Sequence, residues 1–343
     1  MKRDERGVSD LYKPSSFWMD QLKLSYQNLW DGFEKNDISL FHFFLSNFGT
    51  WRQYTGIEHS FYIRMYMKSY VGRLFLMNKT FFNQFRIWRW FYNAQRATSF
   101  LSYPQHGNQA GAFIEGHFVG LSSFFNDIHG TMLAELLVDS YRPVVSELGG
   151  GYGKLAYFIL RNFPKFCFID FDLPETLSVA SYYLMKTFPH KRALLYGEDQ
   201  YDSVSHEKYD LVFMPPWEIE KIGRSTVDLF LNKNSLGEMN RKAVRNYISY
   251  ISRASAFFFH MNHDNSRNVY EGGEVGLLSS EYPVPRDEFA LLFRYPDLGQ
   301  LLSEGSVHLE NDIFMYLYAR KSNLSNNVLA SKFADRSEKE RRC

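Results

Sequence analysis

Val144-Val145-Ser146-Glu147-Leu148-Gly149-Gly150-Gly151-Tyr152-Gly153 decides the fold. A short apolar run ends on an acidic residue and passes straight into glycines. Residues 154–162 then carry apolar side chains at helical spacing. Strand, glycine turn and helix, in that order, let a backbone bend sharply and approach a ligand closely. The helix start adds free N–H groups for a polar ligand. A dinucleotide loop would read Gly-x-Gly-x-x-Gly, which from Gly149 demands glycine at position 154. The chain has Lys154 there. Its own spacing, Gly149-x-Gly151-x-Gly153, fits a nucleoside methyl donor better than NAD.

Downstream, strands and helices alternate. Residues 166–169, 209–214, 227–231 and 256–259 read as buried strands, and 174–188 and 236–252 as helices, with Pro174 suited to a first turn. That alternation predicts a parallel α/β sheet. Two later strands are expected at 289–293 and 313–318, and 196–208 reads as an acidic surface loop. Upstream, 1–110 reads as mostly helical, with helices expected over 16–33, 38–48 and 61–90. A turn at 103–108 breaks the pattern, and 118–138 is a further helix candidate. The expected division is a helical region over 1–110, the α/β domain over 111–321 and a polar, disordered tail over 322–343.

Composition is that of an ordinary globular protein, with 45% apolar and 22% charged residues. The 39 basic and 38 acidic residues nearly cancel, which argues against a dedicated nucleic-acid binder. The aromatic-basic stretch 86–91 reads as a packed helix with snorkelling arginines. Cys167 and Cys343 form neither a metal-type nor a redox-type pair, so a reducing compartment is the simplest reading. No signal peptide and no long apolar span stand out, so the expectation is a cytoplasmic protein without a membrane span.

Asp172 follows the second strand, about 20 residues beyond the glycines, where a carboxylate can accept hydrogen bonds from two ribose hydroxyls. Asp170 competes for that role and otherwise reads as a strand-end residue facing solvent.

Five segments then occur in order: 147–153, Asp172-Leu-Pro-Glu-Thr176, Pro215-Pro216-Trp217-Glu218-Ile-Glu220, Val227-Asp228-Leu-Phe-Leu-Asn232 and Ser235-Leu-Gly-Glu-Met239. Together, over about 140–262, they resemble a bacterial family described as sugar O-methyltransferases. The resemblance implies a class I methyltransferase sheet, mostly parallel with an antiparallel last strand, and S-adenosyl-L-methionine as cofactor. It implies that Glu147, Gly149, Gly150, Gly151 and Gly153 line the methionine and ribose side, with Asp172 and Leu173 at the ribose. Pro216 and Trp217 would border the adenine, and Asn232 the methionine end. The acceptor would be a sugar, a glycan precursor or another small molecule, as in polysaccharide biosynthesis. The N-terminal helices would cap the acceptor or join two copies as a homodimer.

The Asp-Leu-Pro element also resembles plant-type small-molecule O-methyltransferases. Those place a catalytic histidine shortly after the fourth strand, where this chain has Gly237 and then Glu238. A base therefore has to be sought among the residues themselves. Glu238 is one candidate, although with Ser235 it also makes a helix capping box. His263, after the fifth strand, is the other, oriented by Asp264. His260 reads as a strand-end packing residue, and His117 and His129 as weaker candidates. His263 and Asp264 offer too few ligands for a metal, so none is expected. An aromatic-metabolite O-methyltransferase and a non-catalytic binding module of the same fold remain the alternatives.

Overall fold

The computed structural model describes residues 1–50, 69–72, 81–269, 275–301 and 312–324. A two-stranded hairpin, β1 (Gly111–Ile114) and β2 (His117–Gly120), precedes the main sheet. That sheet holds β3 (Val144–Leu148), β4 (Cys167–Phe171), β5 (Ala193–Leu195), β6 (Leu211–Met214), β7 (Val227–Lys233), β8 (Ser255–His263), β9 (Phe289–Pro296) and β10 (Ile313–Arg320). Their order is β5-β6-β4-β3-β7-β8-β10-β9. Neighbours from β5 to β8 are parallel, and β10 runs against both β8 and β9. The fold is thus the expected mostly parallel α/β sheet, with the last strand of the chain antiparallel.

Residues of β3, β4 and β6 are buried throughout, as apolar strands covered on both faces must be. Leu229, Leu231, Phe257 and Phe259 point to one face, into the core shared with helices Ser123–Glu135, Lys154–Leu160 and Pro174–Thr187. Phe230 and Phe258 point to the other, against helix Arg241–Ala254. From β3 the chain builds outward to one side through β4, then crosses to the other through β7 and β8. Such a reversal leaves a crevice at the carboxyl ends of the strands.

Several expectations change. The single helix over 16–33 is two, Ser16–Ser25 and Gln27–Glu34, because Tyr26 leaves helical geometry (φ −113°, ψ 10°) to bury its ring against Phe44. The candidate helix over 118–138 starts only at Ser123, since 117–120 pairs as β2 across a turn where Glu115 and Gly116 both have positive φ. The stretch 196–208 follows an edge strand the sequence did not reveal, and it buries Tyr201 and Ser205. Of 61–90, the helix Phe82–Phe91 is described, with Trp88 buried and Trp90 exposed. The tail beyond 324, with Cys343, lies outside the described residues.

Residues before 110 share a buried core with the sheet. Tyr26, Phe44, Phe48 and Trp88 belong to the same buried cluster as Leu229 and Phe259. Phe48 lies 5.4 Å from the Tyr152 ring of the glycine loop. Buried Asp127 accepts hydrogen bonds from Trp88, Arg96 and Arg161, tying the N-terminal helices to those beneath the sheet. Among the described residues, no helix is long and apolar enough to cross a membrane.

Candidate active site

A cavity of about 720 Å³ opens at the carboxyl ends of β3, β4, β7 and β8. It brings together Glu147, Gly149, Gly150, Gly151, Asp172 and Leu173. Pro216, Glu238 and His263 line it as well.

The glycine loop is shaped by contacts on both sides. Gly149 has φ +74°, and a Cβ there would sit 2.4 Å from Ser235 Oγ. At Gly150 a Cβ would lie 2.9 Å from Glu147 Oε2 and 3.1 Å from Asp170 Oδ1. This glycine therefore rests on two carboxyl groups. Gly153 does not line the cavity; at φ +83° it starts helix Lys154–Leu160 and packs against Leu184. Its role is close packing of helix and loop rather than ligand contact.

Glu147 and Asp170 stand opposite each other across β3 and β4. Asp170 is fully buried, not solvent-facing as the sequence suggested. Glu147 Oε2 has no hydrogen-bond partner, and neither has the Asp170 carboxyl. Asp172 accepts from the N–H groups of Leu173 (2.7 Å) and Gly151 (3.1 Å). Burial pushes the Glu147 carboxyl up to about 8, with Lys233 opposing and Asp172 adding. Burial also pushes Asp172 up to about 7 against its two N–H donors. Asp170 is raised well above the carboxylate range by burial and by the charges of Asp172 and Glu147. Glu147 and Asp172 line one end of the cavity with Asp170 buried behind them, and the unpartnered Glu147 Oε2 there suits a ligand bearing positive charge and hydroxyl donors.

Asn232 does not face the cavity. Its amide N–H groups go to Leu148 O (2.8 Å) and Ser235 Oγ, and its oxygen accepts from Asn262 (2.8 Å) and the Leu236 N–H (3.3 Å). With that capacity used, it locks the end of β7 to β3 and β8 instead of meeting a ligand. Trp217 is also outside the lining; its ring stands edge-on to Tyr196 at 6.0 Å. Adenine stacking on Trp217 is not available in this arrangement.

The capping box is not formed. Ser235 Oγ donates to Leu148 O, and Asn240 caps helix Arg241–Ala254 by accepting from Ala243 N. Glu238 is left in a short 3-10 turn (Leu236–Glu238), where it accepts from Trp18 Nε1 at 2.6 Å. Burial pushes it up to about 7, against the Trp18 hydrogen bond and the nearby His263. His263 is oriented by Asp312, not Asp264: its Nδ1 meets Asp312 Oδ2. Asp264 is occupied by Arg294, Tyr316 (2.6 Å) and the Ser280 N–H (2.7 Å). His260 is buried and stacked 4.8 Å from Tyr316. His117 is exposed on β2, whereas His129 is buried at the cavity wall. Among the described residues, no group of three or more His, Cys, Asp or Glu is arranged to hold a metal ion.

Sequence reading missed Trp18, Asp312 and the segment holding Tyr12. Tyr12 lies against Tyr247 (5.8 Å, edge-on) and accepts from Asn246 (2.9 Å), bringing 11–15 across the mouth of the cavity. Asp312 had one signal: it immediately precedes a predicted strand, and the antiparallel pairing Ile313↔His263 brings that strand start beside His263.

No family model matches the chain, and no curated protein matches it. Among solved structures, the mitomycin 7-O-methyltransferase MmcR aligns at 13% identity and a TM-score of 0.37, over 58% of this chain and 57% of that one. The chain thus spans little more than half the length of that enzyme. The pyocyanin biosynthetic protein PhzM aligns at 14% identity and 0.37, over 76% of each chain. The magnesium protoporphyrin IX methyltransferase ChlM from Synechocystis PCC 6803, solved with bound SAH, aligns at 11% identity and 0.40, over 72% of this chain and 96% of that one. At such scores these likenesses assign no activity to this chain.

Proposed function

We propose that the chain is an S-adenosylmethionine-dependent O-methyltransferase acting on a hydroxyl of a small acceptor, a sugar or another small metabolite. The observation that carries this is the acid-lined end of the cavity beneath the glycine loop, with Glu147 Oε2 buried and unpartnered. S-adenosylmethionine fits such a wall, because it brings a sulfonium, an ammonium and two ribose hydroxyl donors. Asp172 would accept from the ribose hydroxyls, held in place by the Gly151 and Leu173 N–H groups. Glu147 would face the ammonium, and Gly149–Gly151 would let the backbone come close.

When bound, the donor supplies a methyl group on positively charged sulfur: the carbon–sulfur bond breaks with its electrons going to sulfur, and a carbon–oxygen bond forms. The protein's own share is positioning and proton removal. With Nδ1–H donated to Asp312, His263 keeps Nε2 free to take the hydroxyl proton. Glu238, raised toward neutrality, is a second acceptor at the same wall.

The test is methyl transfer from labelled S-adenosylmethionine to a panel of sugars, sugar phosphates and phenols. Turnover on at least one, cut by about 10–100-fold in Asp172→Ala at a fixed low donor concentration, is expected. Donor binding without turnover on any acceptor would favour the binding-module alternative.

A further inference from the structure

The carboxyl ends of the strands carry charge in a sequence. Glu147 and Asp170 face the cavity side from β3 and β4, followed by Lys233 on β7 and then Met261 and His263 on β8. Lys233 pairs in register with Met261, two residues before His263, so all three share a face. By strand spacings, the Lys233 and His263 Cα atoms are about 8 Å apart.

Lys233 lines the cavity, and among the described residues its ammonium makes one side-chain hydrogen bond, to Asn126 Oδ1 at 3.3 Å. Asn126 is itself tethered through its amide to Ser122 O at 2.9 Å. Beside them, on the same helix, His129 is 1% exposed, and neither ring nitrogen has a partner. Lys154 reaches this wall too, donating to Ser122 Oγ at 2.8 Å. Burial pushes His129 down to about 4, with Asp297 favouring protonation and Lys233 opposing it. Two carboxyl groups act on the corner through their charge, Glu147 on Lys233 and Asp297 on His129. A buried imidazole such as His129, with neither nitrogen partnered, is costly unless a ligand supplies the partner.

We propose that Lys233 and His129, with Asn126 orienting the lysine, form a subsite for an anionic group, phosphate or carboxylate, carried by the acceptor. The acceptor is then an acidic small molecule, such as a phosphorylated sugar, whose hydroxyl reaches His263 while its anion rests on Lys233. This rests on the methyltransferase reading above. Donor and acceptor divide the cavity by charge: the cationic donor lies over β3 and β4, the anionic acceptor over β7 and β8.

The experiment is calorimetric titration of inorganic phosphate and, separately, acetate into protein saturated with S-adenosylhomocysteine. It is run on the wild type, Lys233→Met and His129→Asn, with S-adenosylhomocysteine affinity measured for each. The wild type should bind at least one anion. Lys233→Met should weaken that binding about tenfold or more, and His129→Asn should weaken it less, each leaving S-adenosylhomocysteine affinity within about threefold. No anion binding to the loaded wild type, or anion binding by both variants as tight as by the wild type, overturns the subsite. A Lys233→Met variant that loses S-adenosylhomocysteine instead assigns the lysine to the donor's carboxylate and also overturns it. Should Lys233→Met not fold, an unchanged anion affinity in His129→Asn is decisive against the subsite. If S-adenosylhomocysteine does not bind at all, the methyltransferase reading fails by itself, and the same titrations on the free protein decide the corner.

Discussion

The two halves of the cleft treat the carboxyl and amide groups at their strand ends in opposite ways. Over β3 and β4, Glu147 and Asp170 are buried with oxygens that have no partner. Over β7 and β8, Asn232 and Asn262 spend their amides on each other, on Leu148 O and on the Gly237 N–H, while His263 is held by Asp312. Both halves lie at the carboxyl ends of adjacent strands, so topology does not separate them. Hydrogen-bond satisfaction separates the carboxyl pair from the amide pair. The Asn232–Asn262 pair forms a scaffold that fixes shape, and the open Glu147 oxygen at the cavity suits a ligand. Buried His260 on β8, by contrast, leaves both ring nitrogens unpartnered and is packed against Tyr316.

Removing the paired base should have the largest effect. His263→Ala is expected to cut turnover by about 10²–10⁴-fold while donor affinity barely changes. Full turnover in that variant would move the base to Glu238. Breaking the scaffold comes next. Asn232→Ala leaves the buried Asn262 amide and the Leu236 N–H without their acceptor, and Leu148 O with Ser235 Oγ alone, so urea unfolding should show a loss of about 2–4 kcal/mol. A stability equal to wild type would mean that the amide network is not what holds β7 to its neighbours.

On the unsatisfied half, Asp172→Ala should weaken donor binding by about 10–100-fold with little loss of stability, since a destabilised acid is being removed. The same half sets a pH response. Glu147 and Asp172 have folded pKa values raised to about 8 and about 7. Their protonated forms are favoured by folding, so the stability they contribute is full below their unfolded values, about 4, and falls as pH rises through about 7–8. A cationic ligand needs the ionised forms, so its affinity should rise over the same interval, by up to about tenfold per pH unit for each proton lost. A flat profile from pH 6 to 8 would remove Glu147 from the donor contact. The smallest effect is expected at Trp18→Phe. Loss of its hydrogen bond should raise the Glu238 pKa and move the acidic limb of the pH–rate profile upward. No movement would mean that Glu238 does not titrate in the rate-determining step.

Much of the satisfied half was illegible in sequence for a physical reason. Most strands of the main sheet, the glycine turn and the place of Asp172 just past the second parallel strand follow from local patterns of apolar residues, glycine and proline. Asn232 sat where a ligand contact was expected, but whether an amide meets a ligand or its neighbours depends on what β8 brings alongside. Asp264 looked like the natural partner of His263 by adjacency. Residues next to each other on a strand point to opposite sides, however, and the pairing with β10 supplied Asp312. Glu238 fitted a capping motif until Ser235 was drawn to Leu148 O. Trp18 and Tyr12 were beyond reach altogether, because their contacts span more than 200 residues of chain.

The central claim is that the acids beneath the glycine loop await a cationic nucleoside donor. Calorimetric titration of S-adenosylmethionine at pH 7, repeated in buffers of different ionisation enthalpy, tests it directly. Binding at one site per chain with release of about one proton, as Glu147 and Asp172 ionise, is the expected result. Absence of binding, or binding with no proton release, would contradict it.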